Sequence, residues 1–129
     1  VDLPANWTNW SLSLLARADL VLLVTDVSIP ALRQTRRQLD LIRSQDLGDI
    51  EIRVVANRAD ASTLRKFRPS DIRAALGSDI AYTVADDEPT MRAAIDQGVP
   101  ISEIKRKSVV GRDIDALENG LAAALGMER

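Results

Sequence analysis

Leu20-Val21-Leu22-Leu23-Val24 is an unbroken run of apolar residues, and no other segment constrains the fold as tightly. It is far shorter than the roughly 20 residues a membrane span requires. A strand wetted on one face alternates apolar and polar side chains. A run without alternation predicts a strand covered on both faces, as in a parallel sheet with helices crossing over it.

The flanking segments fit that reading. Trp7 to Ala18 carries Trp7, Trp10, Leu14, Leu15 and Ala18 at three- and four-residue steps, which predicts a helix capped by Asn6 or Thr8. Ser28 and Pro30 mark the next helix start; it reaches about Gln45, buries Leu32, Leu39 and Ile42, and has Gly48 just beyond it. Ile50 to Ala56 is a second strand, and Asn57 to Arg68 reads as an irregular polar loop. Pro69 to Leu76 is a short helix stopped by Gly77, and Ile80 to Val84 a third full strand. Asp86-Asp87-Glu88-Pro89 opens a helix with acids at its positive end, closed by Gly98 and Pro100. After a connection from Ile101 to Ser108, a last helix from Val110 to Leu125 carries the stripe Val110, Ile114, Leu117, Leu121, Leu125. With a strand stub at Val1 to Leu3, strands and helices alternate. The expectation is an α/β fold with a mostly parallel sheet and helices on both faces. Ligands in such folds bind beyond the carboxyl ends of the strands, here Asp2, Thr25-Asp26, Asn57-Arg58 and Ala85-Asp86-Asp87.

What the composition lacks narrows the chemistry. There is no Cys and no His, so thiolate sites, disulfides and imidazole catalysis are excluded. The six glycines are dispersed, so the chain holds no phosphate-cradling loop and no dinucleotide fingerprint. Seventeen Lys and Arg against nineteen Asp and Glu give a charge of −2, without the basic field that favours nucleic acid or anionic lipid. No signal-peptide pattern opens the sequence, and the expected location is cytoplasmic, with recruitment to the membrane or cell pole left to partners. Val1-Asp2-Leu3-Pro4 has the look of a strand's last residues, so the chain is expected to be the carboxy-terminal part of a longer domain.

Four groups of residues are candidates for function. Asp2, at a strand end, suits a hydrated Mg²⁺ beside phosphates, although a solvated or capping Asp is the commoner case. Asn57 offers an amide donor and acceptor to the edge of a purine, with a turn-satisfying Asn as the plain alternative. Trp7 and Trp10 form either core or a partner surface, since Trp is enriched at binding hot spots. Arg33, Arg36, Arg37 and Arg43 on one helix, and Arg65, Lys66 and Arg68 in a loop, read as solvated faces rather than a nucleic-acid site. In the closing helix Asp113, Asp115 and Glu118 outnumber Arg112, which suits docking on the sheet rather than on a membrane.

Taken together these segments resemble the MinD/ParA class of deviant P-loop ATPases, and most closely its pilus-assembly branch (CpaE/TadZ type), which serves tight-adherence (Flp) pili. Asp2-Leu3-Pro4 with Trp7-Thr8 resembles that branch's D-L-P motif, and Ala16-Arg17-Ala18-Asp19 running into Leu20 to Thr25 matches the strand that follows it. Val54-Val55-Ala56-Asn57-Arg58 resembles the "v-v-l-N-R" strand, and Ala94-Ile95-Asp96-Gln97-Gly98-Val99-Pro100 the "a-I-n-x-G-x-P" segment. The resemblance implies that Asp2 is the switch II aspartate near Mg²⁺, that Asn57 and Arg58 border the base, and that Asp87 lies near the nucleoside. It also implies ATP and Mg²⁺ as cofactors of a longer protein, a homodimer formed across the nucleotide with Trp7 and Trp10 near the junction, and partners in the pilus secretion machinery. Ala85 departs from the pattern, standing where relatives often have Pro. Two other readings remain open at this point: a non-catalytic localisation adaptor with a degenerate site, and a phospho-receiver-like domain using Asp26 and Pro30.

Overall fold

The computed structural model describes residues 1–47 and 49–127. In chain order the elements are α1 (Asn9–Leu15), β1 (Leu20–Asp26), α2 (Ile29–Ser44), β2 (Glu51–Asn57), α3 (Ala61–Arg65), α4 (Pro69–Leu76), β3 (Ile80–Thr83), α5 (Glu88–Gln97), α6 (Ile101–Ile104) and α7 (Val109–Ala124). The three strands form one parallel sheet in the order β1-β2-β3, with Leu20 opposite Glu51 and Asp26 opposite Asn57. Parallel neighbours need crossovers, and α2 and the α3–α4 pair supply them.

One face of the sheet holds the core. Val21 and Leu23 of β1 and Val54 of β2 pack with Leu15, Leu32, Leu39, Ile42 and Leu76 from α1, α2 and α4. Side chains buried this fully contribute about 1.5–3 kcal/mol each. α2 begins where Ser28 accepts a hydrogen bond from the Ala31 amide at 3.2 Å, with Pro30 in its first turn. α4 ends at Gly77, whose φ of 72° is the left-handed conformation that glycine adopts without a Cβ clash. Gly48, expected just past α2, lies outside the described residues.

The opposite face departs from expectation. β1 alternates in burial, and Val24 is 63% exposed although it belongs to the unbroken apolar run. The run is covered on one side only, because β1 is an edge strand and α7, the helix on that side, sits over β3. An irregularity between Val54 and Val55 sets Ile80 opposite Val54 and Tyr82 opposite Val55. Ile80 thereby joins the core while Tyr82 meets α7 at Gly120. The α7 stripe is accordingly shallow: Val110 is buried, but Ile114 and Leu125 are 37% and 44% exposed.

Several local expectations are also corrected. Thr8, one of the two expected caps, forms a reciprocal capping box with Ser11, but α1 starts at Asn9 rather than Trp7 and leaves Trp7 ahead of the cap. Val1 to Leu3 forms no strand, and the β1 edge stays unpaired. The loops after β2 and α5 each contain a short helix, α3 and α6. α3 is created by Asp60, whose carboxylate accepts from the Ser62 hydroxyl at 2.7 Å and from the Thr63 amide and hydroxyl at 2.6 and 2.7 Å.

Those hydrogen bonds, the one from Ser62 first, lower the Asp60 pKa from 3.8 to about 2. A carboxyl depressed in the folded state stabilises it above the unfolded pKa and loses that contribution as pH falls through the folded one. The stability difference between the wild-type chain and Asp60→Ala should therefore be full at pH 6 and shrink between about pH 4 and pH 2. Thermal melts at stepped pH check this, and a difference independent of pH would exclude the carboxylate as the cause.

Candidate functional site

The carboxyl ends of β2 and β3 lie side by side, and their loops are joined by two backbone hydrogen bonds. The Val84 amide donates to the Ala56 carbonyl at 2.8 Å, and the Ala59 amide donates to the Val84 carbonyl at 2.9 Å. Between these contacts the chain turns at Arg58, whose φ of 52° is left-handed. A non-glycine residue held there costs about 1–3 kcal/mol and persists only where its surroundings fix it. On the β3 side the Ala85 amide donates to Asp113 Oδ2 at 2.9 Å, and Asp87 caps α5 by accepting from the Thr90 amide at 3.3 Å.

An open cleft of about 620 Å³ results. Asn57, Arg58, Asp86 and Asp87 line its polar side, and Met91, Ile95, Val110 and Ile114 its apolar side. An amide with a donor and an acceptor, carboxylates that accept from hydroxyls, and a broad apolar wall together suit a nucleoside. They suit its phosphates less, because Asp86, Asp87 and Glu88 outnumber Arg58 and Arg92 in the lining.

The structure thus brings together Asn57, Arg58 and Asp87 and does not add Asp2 to them. Asp2 is exposed and lines a separate groove of about 1000 Å³ along the free edge of β1, with Trp7, Leu22, Val24, Leu121 and Leu125. Among the described residues no group of three or more acidic side chains gathers in a way that could hold a metal ion. The residues expected to border a nucleoside therefore share one cleft, and Asp2, expected near the metal, stands apart from them. The two indoles also part: Trp7 packs against the core, whereas Trp10 is 60% exposed.

Two contacts of structural consequence, those of Asp113 and Arg53, were not legible in the sequence. Asp113 follows the buried Val110 by three positions, so a carboxylate bordering the α7 stripe was the signal available. Arg53 interrupts the apolar strand between Ile52 and Val54. It donates to Glu51 Oε1 at 2.7 Å and to the Tyr82 hydroxyl at 2.6 Å, with the Gly120 carbonyl at 3.4 Å. The Glu51 contact foremost, and Tyr82 after it, raise its pKa.

The sequence is 28% identical over 105 residues to the septum site-determining protein MinD of Thermotoga maritima, a match that covers 79% of this chain and 38% of that protein. A ParA family ATPase from Chlorobium tepidum superposes with a TM-score of 0.73 at 23% identity, covering 83% of this chain and 44% of that one. The MinD cell division protein of Aquifex aeolicus gives 0.69 at 20% identity, covering 89% and 49%. Fold and sequence relate the chain to the MinD/ParA ATPases. No family model matches it. The chain spans less than half the length of these MinD and ParA relatives. Its parallel sheet flanked by helices is the part of the MinD/ParA fold that it shares with them. Among the described residues no helix is long and apolar enough to cross a membrane.

Proposed function

We propose that the chain is the carboxy-terminal part of a MinD/ParA-like ATPase domain and holds the nucleoside of ATP in the cleft between β2 and β3. The observation that carries this reading is the convergence of Asn57, Arg58 and Asp87 on one cleft at the carboxyl ends of adjacent parallel strands. Asn57 reads the base edge, Asp87 faces the nucleoside, and Met91, Ile95 and Ile114 supply the apolar wall. The phosphates and Mg²⁺ belong to residues outside this chain, with Asp2 their neighbour in the longer protein; Mg²⁺ there neutralises phosphate charge.

The unpaired β1 edge supports the incomplete domain. Leu22 and Val24 line a groove whose far wall is Leu121 of α7 and Leu125 at its end, and a further strand and helix of the same polypeptide would cover them. Within the class, Asp2-Leu3-Pro4 and Trp7-Thr8 favour the pilus-assembly branch, so that the longer protein positions or assembles a Flp pilus system. Its dimer forms across the nucleotide, and the exposed Trp10, rather than the two indoles together, is the contact offered near that junction.

In nuclear magnetic resonance titrations the chain should bind adenosine weakly, with shifts at Asn57, Arg58 and Asp87, and should bind Mg·ATP no more tightly than adenosine. Asn57→Ala should weaken adenosine about tenfold, the cost of a buried base edge left unpaired. Micromolar affinity for Mg·ATP, or shifts confined to the β1 groove, would overturn this division of the site.

A further inference from the structure

We propose that α7 is part of the nucleoside site, with Asp113 as the residue that positions the Val84–Asp87 loop; this rests on the nucleoside reading above. Val84 has both backbone groups engaged, its amide with Ala56 and its carbonyl with Ala59. The next amide, Ala85, points the other way and donates to Asp113 Oδ2 at 2.9 Å, across 28 residues of sequence. Ala85 directly precedes Asp86 and Asp87, so this bond sets where both carboxylates enter the cleft. A part-buried amide without a protein partner is costly, which drives the loop toward water once Asp113 is lost.

The same helix also builds the cleft wall. Val110, 2% exposed, and Ile114 lie one turn before and one residue after Asp113, and both line the cleft. One stretch of α7 therefore supplies the apolar wall and the acceptor that holds the polar loop against it. At its far end α7 is fixed by Gly120, which packs on Tyr82 of β3. Displacement of α7 from the sheet would carry the Ala85 contact with it, so helix docking and nucleoside binding are coupled through Asp113.

The test compares the wild-type chain with Asp113→Ala, Asp113→Leu and Asp113→Asn, using adenosine as the probe and amide hydrogen exchange at Ala85 as a readout that needs no ligand. Asp113→Ala and Asp113→Leu should speed Ala85 exchange and raise the adenosine dissociation constant about tenfold. Asp113→Asn keeps an acceptor oxygen and should restore both to within about twofold. Adenosine binding unchanged in the Ala or Leu variant overturns the proposal, and so does an Asn variant as impaired as Ala, which would point to charge rather than position. Should Asp113→Ala not fold, the Leu and Asn variants decide between them. A wild-type chain in which adenosine leaves Asn57 unperturbed removes the nucleoside reading itself, an outcome distinct from a wild type that binds and variants that bind equally well.

Discussion

Leu32→Ala is expected to destabilise the chain by about 2–5 kcal/mol, and Val24→Thr by less than about 0.5 kcal/mol. By sequence the two positions look equally internal, Val24 closing the longest apolar run. In the structure Leu32 of α2 is 0% exposed on the helix's core face, where truncation leaves a cavity among Leu39, Val54 and Leu76. Val24 is 63% exposed, and a hydroxyl in place of a methyl there meets water. Urea unfolding at constant m-value measures both. A Val24→Thr cost above about 1 kcal/mol would mean that this face is already covered in the isolated chain, by self-association that dilution would reveal. In the longer protein proposed above, the same substitution should cost about 1–3 kcal/mol, because the hydroxyl would then be buried without a partner.

The contrast between these positions marks where sequence reading works. Covalent and local rules placed the punctuation: Pro30 and Ser28 at the start of α2, Gly77 and Gly98 at left-handed helix ends, and the acidic Asp86–Pro89 segment opening α5. Periodicity identified Leu32, Leu39 and Ile42 as core because a buried helix stripe repeats over several turns. It missed α3 and α6, which are one turn long and carry no repeat. The Trp7–Trp10 pairing on one helix face does not form because the capping box at Thr8 leaves Trp7 ahead of α1 while Trp10 lies within it. At the candidate site, Asn57, Arg58 and Asp87 were legible as strand-end residues. The Asp113 contact was not, because nothing local to α7 tells which loop its carboxylate will meet. The β1 run was misread because apolar patterning does not tell which neighbours a strand will meet: α7 lies over β3, and Val24 is left exposed.

Gly120→Val should destabilise the chain by about 1–3 kcal/mol, with the loss falling on the docking of α7. Glycine inside a helix is worse than Ala by about 1 kcal/mol, so Gly120 calls for a packing reason. The reason is Tyr82: a Cβ at Gly120 would stand 2.7 Å from its Cε1 and closer still to its hydroxyl. Tyr82 has little freedom to retreat, since its hydroxyl accepts from Arg53 at 2.6 Å and the same guanidinium lies 5.9 Å over its ring. Arg53 is in turn paired with Glu51 at 2.5 Å, so the strand, the ring and the helix backbone form one connected contact. Gly120→Val therefore forces either the Arg53–Tyr82 hydrogen bond or the helix to give way, and outward movement of α7 also withdraws Asp113 from Ala85. The decisive measurement is a double-mutant cycle with Tyr82→Ala, in which the cost of Gly120→Val should fall below about 0.5 kcal/mol once the ring is gone. An equal cost in both backgrounds would show that α7 is seated by something other than this contact.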